Sequence, residues 1–216
     1  YYDGWNEYII YGGIPIVVLA DTDEQKTALL DIISSAVGSL TNPNKLQKTF
    51  KSVNHSGITA TTITKYIEYL EDSFLIEETK RFDIKGKSYI GTPMKYYFMD
   101  MGLRNARLNF RQTEVTHSME NVIYNELRKR GYRVDGGNLS IIEPGKNGKL
   151  AKKQLEVDFI CNKGSKKYYI QSAYSLETEE KTAQEIRPFT KINDSFKKIV
   201  ITLNTPKPVF DGIRIL

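Results

Sequence analysis

The chain has 216 residues, 31 Lys+Arg against 26 Asp+Glu, a net charge of +5 and 40% hydrophobic residues. That is enough for one large domain or two small ones with a packed core, and the mild basicity permits nucleic-acid binding without demanding it. No segment reaches the roughly 18 to 20 uninterrupted apolar residues of a membrane span, and the single Cys161 rules out an internal disulfide or a Cys-rich zinc site.

The N-terminus, Tyr1 to Trp5, has neither a basic n-region nor an apolar h-region. With no export signal, a cytoplasmic location is expected. The start without Met reads as a piece excised from something longer. Tyr11-Gly12-Gly13-Ile14-Pro15 predicts a turn. From Asp23 to about Leu40 the apolar positions Leu29, Leu30, Ile33 and Val37 predict a helix. No Gly-Lys-Ser or Gly-Lys-Thr follows any glycine loop, so this chain itself is expected to bind no ATP through a Walker A motif.

Thr41 to about Arg111 reads helix, helix, hairpin. Asn44 to Ser52 is a short amphipathic helix carrying Leu46 and Phe50. Thr59 to Asp72 is a second, with Ile63, Tyr66, Ile67 and Leu70 at three- and four-residue steps. Phe74 to Glu78 predicts a strand, Ile84 to Ser88 a basic turn and Lys95 to Asp100 a returning strand. Two helices followed by a two-stranded wing is the winged-helix pattern. In DNA-binding versions the second helix enters the major groove and the wing touches phosphate. Lys65 on that helix, with Lys80, Arg81, Lys85 and Lys87 on or near the wing, are the nucleic-acid-binding candidates. Glu68, Glu71 and Asp72 on the same helix would repel phosphate, and a wing used for protein contacts is the competing reading.

The last block begins near Thr113. Thr116 to Arg130 predicts a helix with Met119, Val122, Ile123 and Leu127 buried and Gly131 as its stop. Tyr132 to Asp135 reads as a strand, Gly136-Gly137-Asn138 as a polar turn, Ile141-Ile142 as another strand and Glu143 to Lys153 as a basic loop. Glu156 to Cys161 and Lys167 to Gln171 read as strands of a hairpin turning at Asn162 to Ser165. Glu177 to Phe189 predicts a helix, Lys197 to Leu203 a buried strand and Gly212 to Leu216 an edge strand. The order predicts an α/β layer with a mixed sheet. Cys161 is expected to be a buried, inert thiol, and the two histidines, His55 and His117, are expected at the surface or in caps.

Several stretches together resemble the C-terminal half of a prokaryotic AAA-type ATPase family. They are Tyr11-Gly12-Gly13-Ile14-Pro15, Thr62 to Asp72, Lys95 to Arg104, Glu120-Asn121 with Glu126-Leu127 and Arg130-Gly131-Tyr132, Glu156-Val157-Asp158-Phe159, and Tyr168 to Gln171. The resemblance implies an absent N-terminal P-loop ATPase, of which residues 1–40 would be a helical tail. A winged-helix domain over 41–111 would follow, then a domain over 112–216 similar to the PD-(D/E)XK nuclease fold, with restriction-endonuclease-like three-layer α/β architecture. The combined fold class is α/β and α+β.

That nuclease pattern places an acid on the first helix, an acid at a strand bend, and acid-x-lysine on the next strand. The acids hold Mg²⁺ through oxygen ligands, and the lysine stabilises developing charge. The matching positions are Glu120, Asp158, Gln171 and Ala173, with Glu156 as a spare metal ligand beside Glu120 and Asp158. Glutamine removes one negative charge and alanine supplies no cation, unless Lys153 or Lys167 substitutes. The structural alternatives are Glu120 capping its helix or pairing with Arg128 or another nearby base, Asp158 closing a turn, Gln171 satisfying buried backbone groups, and Glu185, followed by Arg187, taking part in an ion pair. The expected function is a DNA-associated regulatory module with a degenerate nuclease-like site, partnered by its own ATPase domain. An active Mg²⁺-dependent endonuclease and a protein-interaction module are the alternatives.

Overall fold

The computed structural model describes residues 24–54, 58–111, 114–144, 148–203 and 213–215. The expected turn at Tyr11 to Pro15, and His55, lie outside them. In chain order the elements are α1 (Glu24–Ser35), α2 (Pro43–Asn54), α3 (Ala60–Asp72), β1 (Ile76–Asp83), β2 (Ser88–Phe98), α4 (Met101–Arg107), α5 (Val115–Lys129), β3 (Arg133–Pro144), β4 (Leu150–Lys163), β5 (Lys166–Ala173), α6 (Glu179–Thr190), β6 (Lys197–Thr202) and β7 (Arg214–Ile215). Helices and strands interleave, and the sheet is mixed. No helix among the described residues is long and apolar enough to cross a membrane.

Two compact units emerge, one from residues 1–79 and 92–125, the other from 80–91 and 126–216. The sequence predicts a boundary at 111/112 instead. The difference arises because the tip of the β1–β2 hairpin does not stand alone. Arg81, Phe82 and Asp83 pair in parallel with Gly136, Gly137 and Asn138 of β3, and strand pairing carries those residues into the second unit.

In the first unit, helix starts are written in side chains that accept otherwise orphaned backbone N–H groups. Asn42 Oδ1 accepts from Lys45 N at 2.8 Å before α2, whose first residue is Pro43. Thr59 accepts from Thr62 N at 3.2 Å before α3. Asp100 accepts from Leu103 N at 2.9 Å and starts α4, a helix that the strand reading through Asp100 did not include. The apolar stripes of α1, α2 and α3 meet in one cluster of Leu30, Ile33, Leu46, Phe50, Ile63 and Ile67, joined by Val37 just past α1 and closed by Ile76, Tyr96 and Phe98 from the base of the hairpin. Helix α5 is fastened to β2 through Asn121, whose amide accepts from Phe98 N at 2.8 Å and donates to Phe98 O at 2.7 Å. A side chain thereby completes the strand's edge, so no buried backbone group is orphaned there.

In the second unit the strand order is β2-β1-β3-β4-β5-β6-β7, with β1 and β2 entering it only through residues 80–83 and 88–91. β3–β4 and β4–β5 are antiparallel, whereas β5–β6 and β6–β7 are parallel. Helix α6, capped by Thr178 through Lys181 N at 3.1 Å, lays Ile186 and Phe189 onto Tyr169, Ala173, Val157 and Val200. β7 sits at the sheet edge as expected, and Gly131, at φ +79°, ends α5 as its position predicts. Cys161 is fully buried, and burial, with the Asp135 carboxylate adding to it, pushes its thiol up to about 12.

Two expectations fail in this unit, for one reason. Gly136-Gly137-Asn138 is no turn but the middle of a 12-residue strand, and the loop expected from Glu143 to Lys153 is largely strand, pairing from Ile141↔Lys153 to Pro144↔Leu150. At Gly137 the strands approach too closely for a side chain, whereas a Cβ on Gly136 would meet nothing nearer than 3.7 Å. A Cβ on Gly137 would lie 2.8 Å from Val157 Cβ and 3.1 Å from Val157 O. Between the pairs Asp135↔Ile160 and Gly137↔Val157, only Gly136 on β3 faces both Asp158 and Phe159 on β4. That two-against-one count is a β-bulge, a device that bends a strand and re-aims its side chains.

Candidate functional site

The hairpin cations divide sharply. Lys80, Lys85 and Lys87 are exposed, as is Lys65 on α3. The hairpin tip is a formed turn, since Asp83 Oδ1 accepts from Lys85 N at 3.0 Å and Gly86 N at 2.9 Å. Arg81 departs from the expected role. It is buried, its guanidinium donates to Asn138 Oδ1 at 2.8 Å, and Glu156 lies 3.8 Å away. Strand alternation put Arg81 against β3 rather than toward solvent, so it serves the sheet instead of reaching phosphate. The same contact occupies Glu156, the expected spare metal ligand.

The bulge places Asp158 beside β5, one step past the Phe159↔Ile170 pair. Asp158 N donates to Gln171 Oε1 at 3.3 Å, and Asp158 Oδ2 accepts from Ser172 N at 2.8 Å. Two of the expected site residues, Asp158 and Gln171, are thus adjacent and bonded. Ala173 is buried in the core under α6. The two lysines expected to substitute for a missing cation are committed elsewhere. Lys153 lies 3.7 Å from Glu143. The Lys167 ammonium sits over three rings, at 5.7 Å from Phe82, 5.1 Å from Tyr169 and 5.2 Å from Phe196, an arrangement in which ring quadrupoles hold the charge.

Sequence reasoning linked Glu185 with its neighbour Arg187, but on α6 these two diverge. Arg187 pairs with Glu143, whereas Glu185 meets the Gln171 amide and the charge of Lys181. The i,i+4 spacing of Lys181 and Glu185 was the available signal. Burial pushes the Glu185 carboxyl above its ordinary value, and the Gln171 hydrogen bond and Lys181 pull it part of the way back. Such an acid takes up its proton more readily folded than unfolded. Its contribution to stability is therefore largest below the ordinary carboxylate range and falls as pH rises through the folded value. Glu185→Gln is expected to raise the urea midpoint at neutral pH and to leave it nearly unchanged at about pH 3, where both side chains are almost wholly neutral. A lower midpoint at neutral pH would mean that the charged form is stabilising.

Glu120 belongs to the first unit, and Asp158, Glu156 and Gln171 belong to the second. Glu120 is buried and pairs not with Arg128 but with Lys95. Its Oε1 accepts from Lys95 Nζ at 2.8 Å and from the Tyr97 hydroxyl at 2.6 Å. The Tyr97 ring stacks on Tyr124 at 4.2 Å, one helical turn along α5. A carboxylate with an ammonium and a phenol on one oxygen acts as an anchor between strand and helix.

A hard divalent cation such as Mg²⁺ asks for several oxygen ligands, with carboxylates carrying the charge. The donors present fit it poorly. Gln171 is neutral and its oxygen already accepts from Asp158 N, Glu156 is taken by Arg81, and Glu120 by Lys95. Among the described residues no three His, Cys, Asp or Glu side chains gather into a metal-holding group.

Comparison with known proteins adds relatives without an assigned activity. Residues 27–114 match a family described as a domain of unknown function, DUF8612. An uncharacterized protein of Haemophilus influenzae is 32% identical over 98% of this chain and 56% of its own length. An uncharacterized protein of Methanocaldococcus jannaschii is 27% identical over 86% of this chain and 45% of its own length. The chain therefore spans about half the length of the curated relatives it matches.

Proposed function

We propose that the chain is a nucleic-acid-associated regulatory module whose second unit has a nuclease-like scaffold with a dismantled site. The observation that carries this reading is the bonded pair Asp158–Gln171 at the β4 bulge. The bend sets an acid on β4 beside β5, which supports the likeness to a pattern with an acid at a strand bend. Its partner on the next strand is a neutral amide, and the lysine position is a buried alanine. Binding without cleavage is the chemistry left to such a site, because too little charge remains to hold the ions that stabilise the attacking and leaving oxygens. The helix, helix, hairpin order of α2, α3, β1 and β2 supports a winged-helix identity for that segment, with Lys65, Lys80, Lys85 and Lys87 as solvent-facing cations. A longer parent protein carrying a P-loop ATPase, which would bind ATP with Mg²⁺ there, and a cytoplasmic location are parts of the same proposal.

The test pairs binding with cleavage. Anisotropy of a labelled DNA duplex, titrated with the protein over a salt series, is expected to show affinity that falls steeply with salt, as counterion release requires. Plasmid, branched and single-stranded DNA incubated with Mg²⁺ or Mn²⁺ are expected to remain intact. Cleavage abolished by Asp158→Ala would replace this reading with an active endonuclease. Absence of binding even at low salt would remove nucleic acid from the account.

A further inference from the structure

We infer that the phosphate backbone of the nucleic acid is held by the arm of β3 and β4 together with the last turn of α6, a surface that includes none of the hairpin cations; this deepens the proposed function and rests on it. The β3–β4 ladder runs from Ser140↔Gln154 out to Pro144↔Leu150, beyond the Phe159↔Ile170 pair where β4 takes up its register with β5. Residues directly opposite on an antiparallel pair share a face. Glu143 and Lys153 therefore lie on one face of the arm, and Ile142 and Lys152 on the other.

Glu143 is met by three cations: Arg187, Lys153 at 3.7 Å and Lys191 at 3.9 Å. One carboxylate cannot neutralise three positive charges, and all three cationic side chains are 40% or more exposed. Lys152, opposite Ile142, lies on the other face and takes no part in this cluster. The result is a surface with a strong positive excess built around a single internal anion. Arg187 engages that anion with a planar fork that suits phosphate equally well, and the lysines act as point charges around it. Glu143 thus stands where a phosphate group would be welcome, and it competes with the ligand for the same cations.

The competition supplies a test that loss of structure cannot imitate. With the full chain and a fluorescein-labelled DNA duplex, Glu143→Gln is expected to tighten binding several-fold and to steepen the salt dependence. Lys153→Glu with Lys191→Glu, both exposed beside Glu143, is expected to weaken binding about tenfold or more at low salt and to reduce the slope of log K against log salt by about 0.9 for each phosphate the variant no longer neutralises. Unchanged or weaker binding by Glu143→Gln would overturn the assignment, as would wild-type affinity in the double lysine variant. DNA binding by the wild type that is abolished only on changing Lys85 and Lys87 would place the phosphates on the hairpin. That result would sink this inference while sparing the proposed function. Binding to phosphatidylserine vesicles with none to DNA would sink both.

Discussion

Lys95→Ala is expected to destabilise the first unit by about 3–5 kcal/mol, the cost of leaving a buried charge without its partner. Lys95 and Glu120 are 9% and 11% exposed and 2.8 Å apart. Removing the ammonium leaves Glu120 with the Tyr97 hydroxyl in a site closed to water. Gly38 forms part of that enclosure: a Cβ added there would lie 3.3 Å from Glu120 Oε2. Urea unfolding followed by near-ultraviolet circular dichroism reads the loss, because the stacked Tyr97–Tyr124 pair reports the same interface. The double replacement Lys95→Met with Glu120→Met is expected to recover most of the stability, since a pair of apolar side chains often replaces a buried ion pair at little cost. A single-variant loss below about 1 kcal/mol would show that the pair is hydrated and that Glu120 is not the anchor described here. The experiment also separates roles: an anchoring carboxylate changes stability with or without divalent cations, whereas a metal ligand changes it chiefly in their presence.

Phe189→Ala should cost the second unit about 3–5 kcal/mol, as emptying a large aromatic site in a packed core does. Phe189 is 1% exposed and packs with Tyr169, Ile186, Ile192 and Val200 between α6 and the sheet. The effect reaches function through geometry. Helix α6 carries Glu185 toward Gln171 and brings Arg187 and Lys191 to Glu143. A loosened helix scatters both sets, so amide exchange across residues 179–190 should accelerate and DNA affinity should fall with it. Phe189→Leu, which keeps most of the volume, is expected to cost about 1.5 kcal/mol or less and to preserve binding. Equal losses from the two variants would mean that the ring's shape, rather than its bulk, seats the helix.

The candidate site was partly legible in the residues themselves. Asp158 and Gln171 were matched through the resemblance to the nuclease pattern, which asks for one polar position on each of two neighbouring strands. The approach of Lys181 to Glu185 was readable from their i,i+4 spacing, but the bond from Glu185 to Gln171 was not, because Gln171 comes from a strand that no spacing within α6 reveals. Glu120 stood out as an acid near a helix start. Nothing local pointed to Lys95, which lies 25 residues away and whose own strand reads as ordinary. Arg81 looked like a surface cation because arginine in a basic segment usually is one. Its burial followed from the parallel pairing of β1 with β3, a contact between segments far apart in the chain.

Local chemistry in the sequence was sufficient for the long helices, the stop at Gly131 and the order of most strands, because those features depend on neighbours a few residues apart, whereas the cap at Thr178 falls inside the helix read from Glu177 to Phe189. The glycine pair in β3, the length of the β3–β4 arm, the membership of the hairpin tip and the partners of Glu120, Glu143 and Arg81 were decided only when distant segments packed. Each depends on how closely two strands approach, or on which remote charge a buried group finds, and a linear pattern carries neither distance.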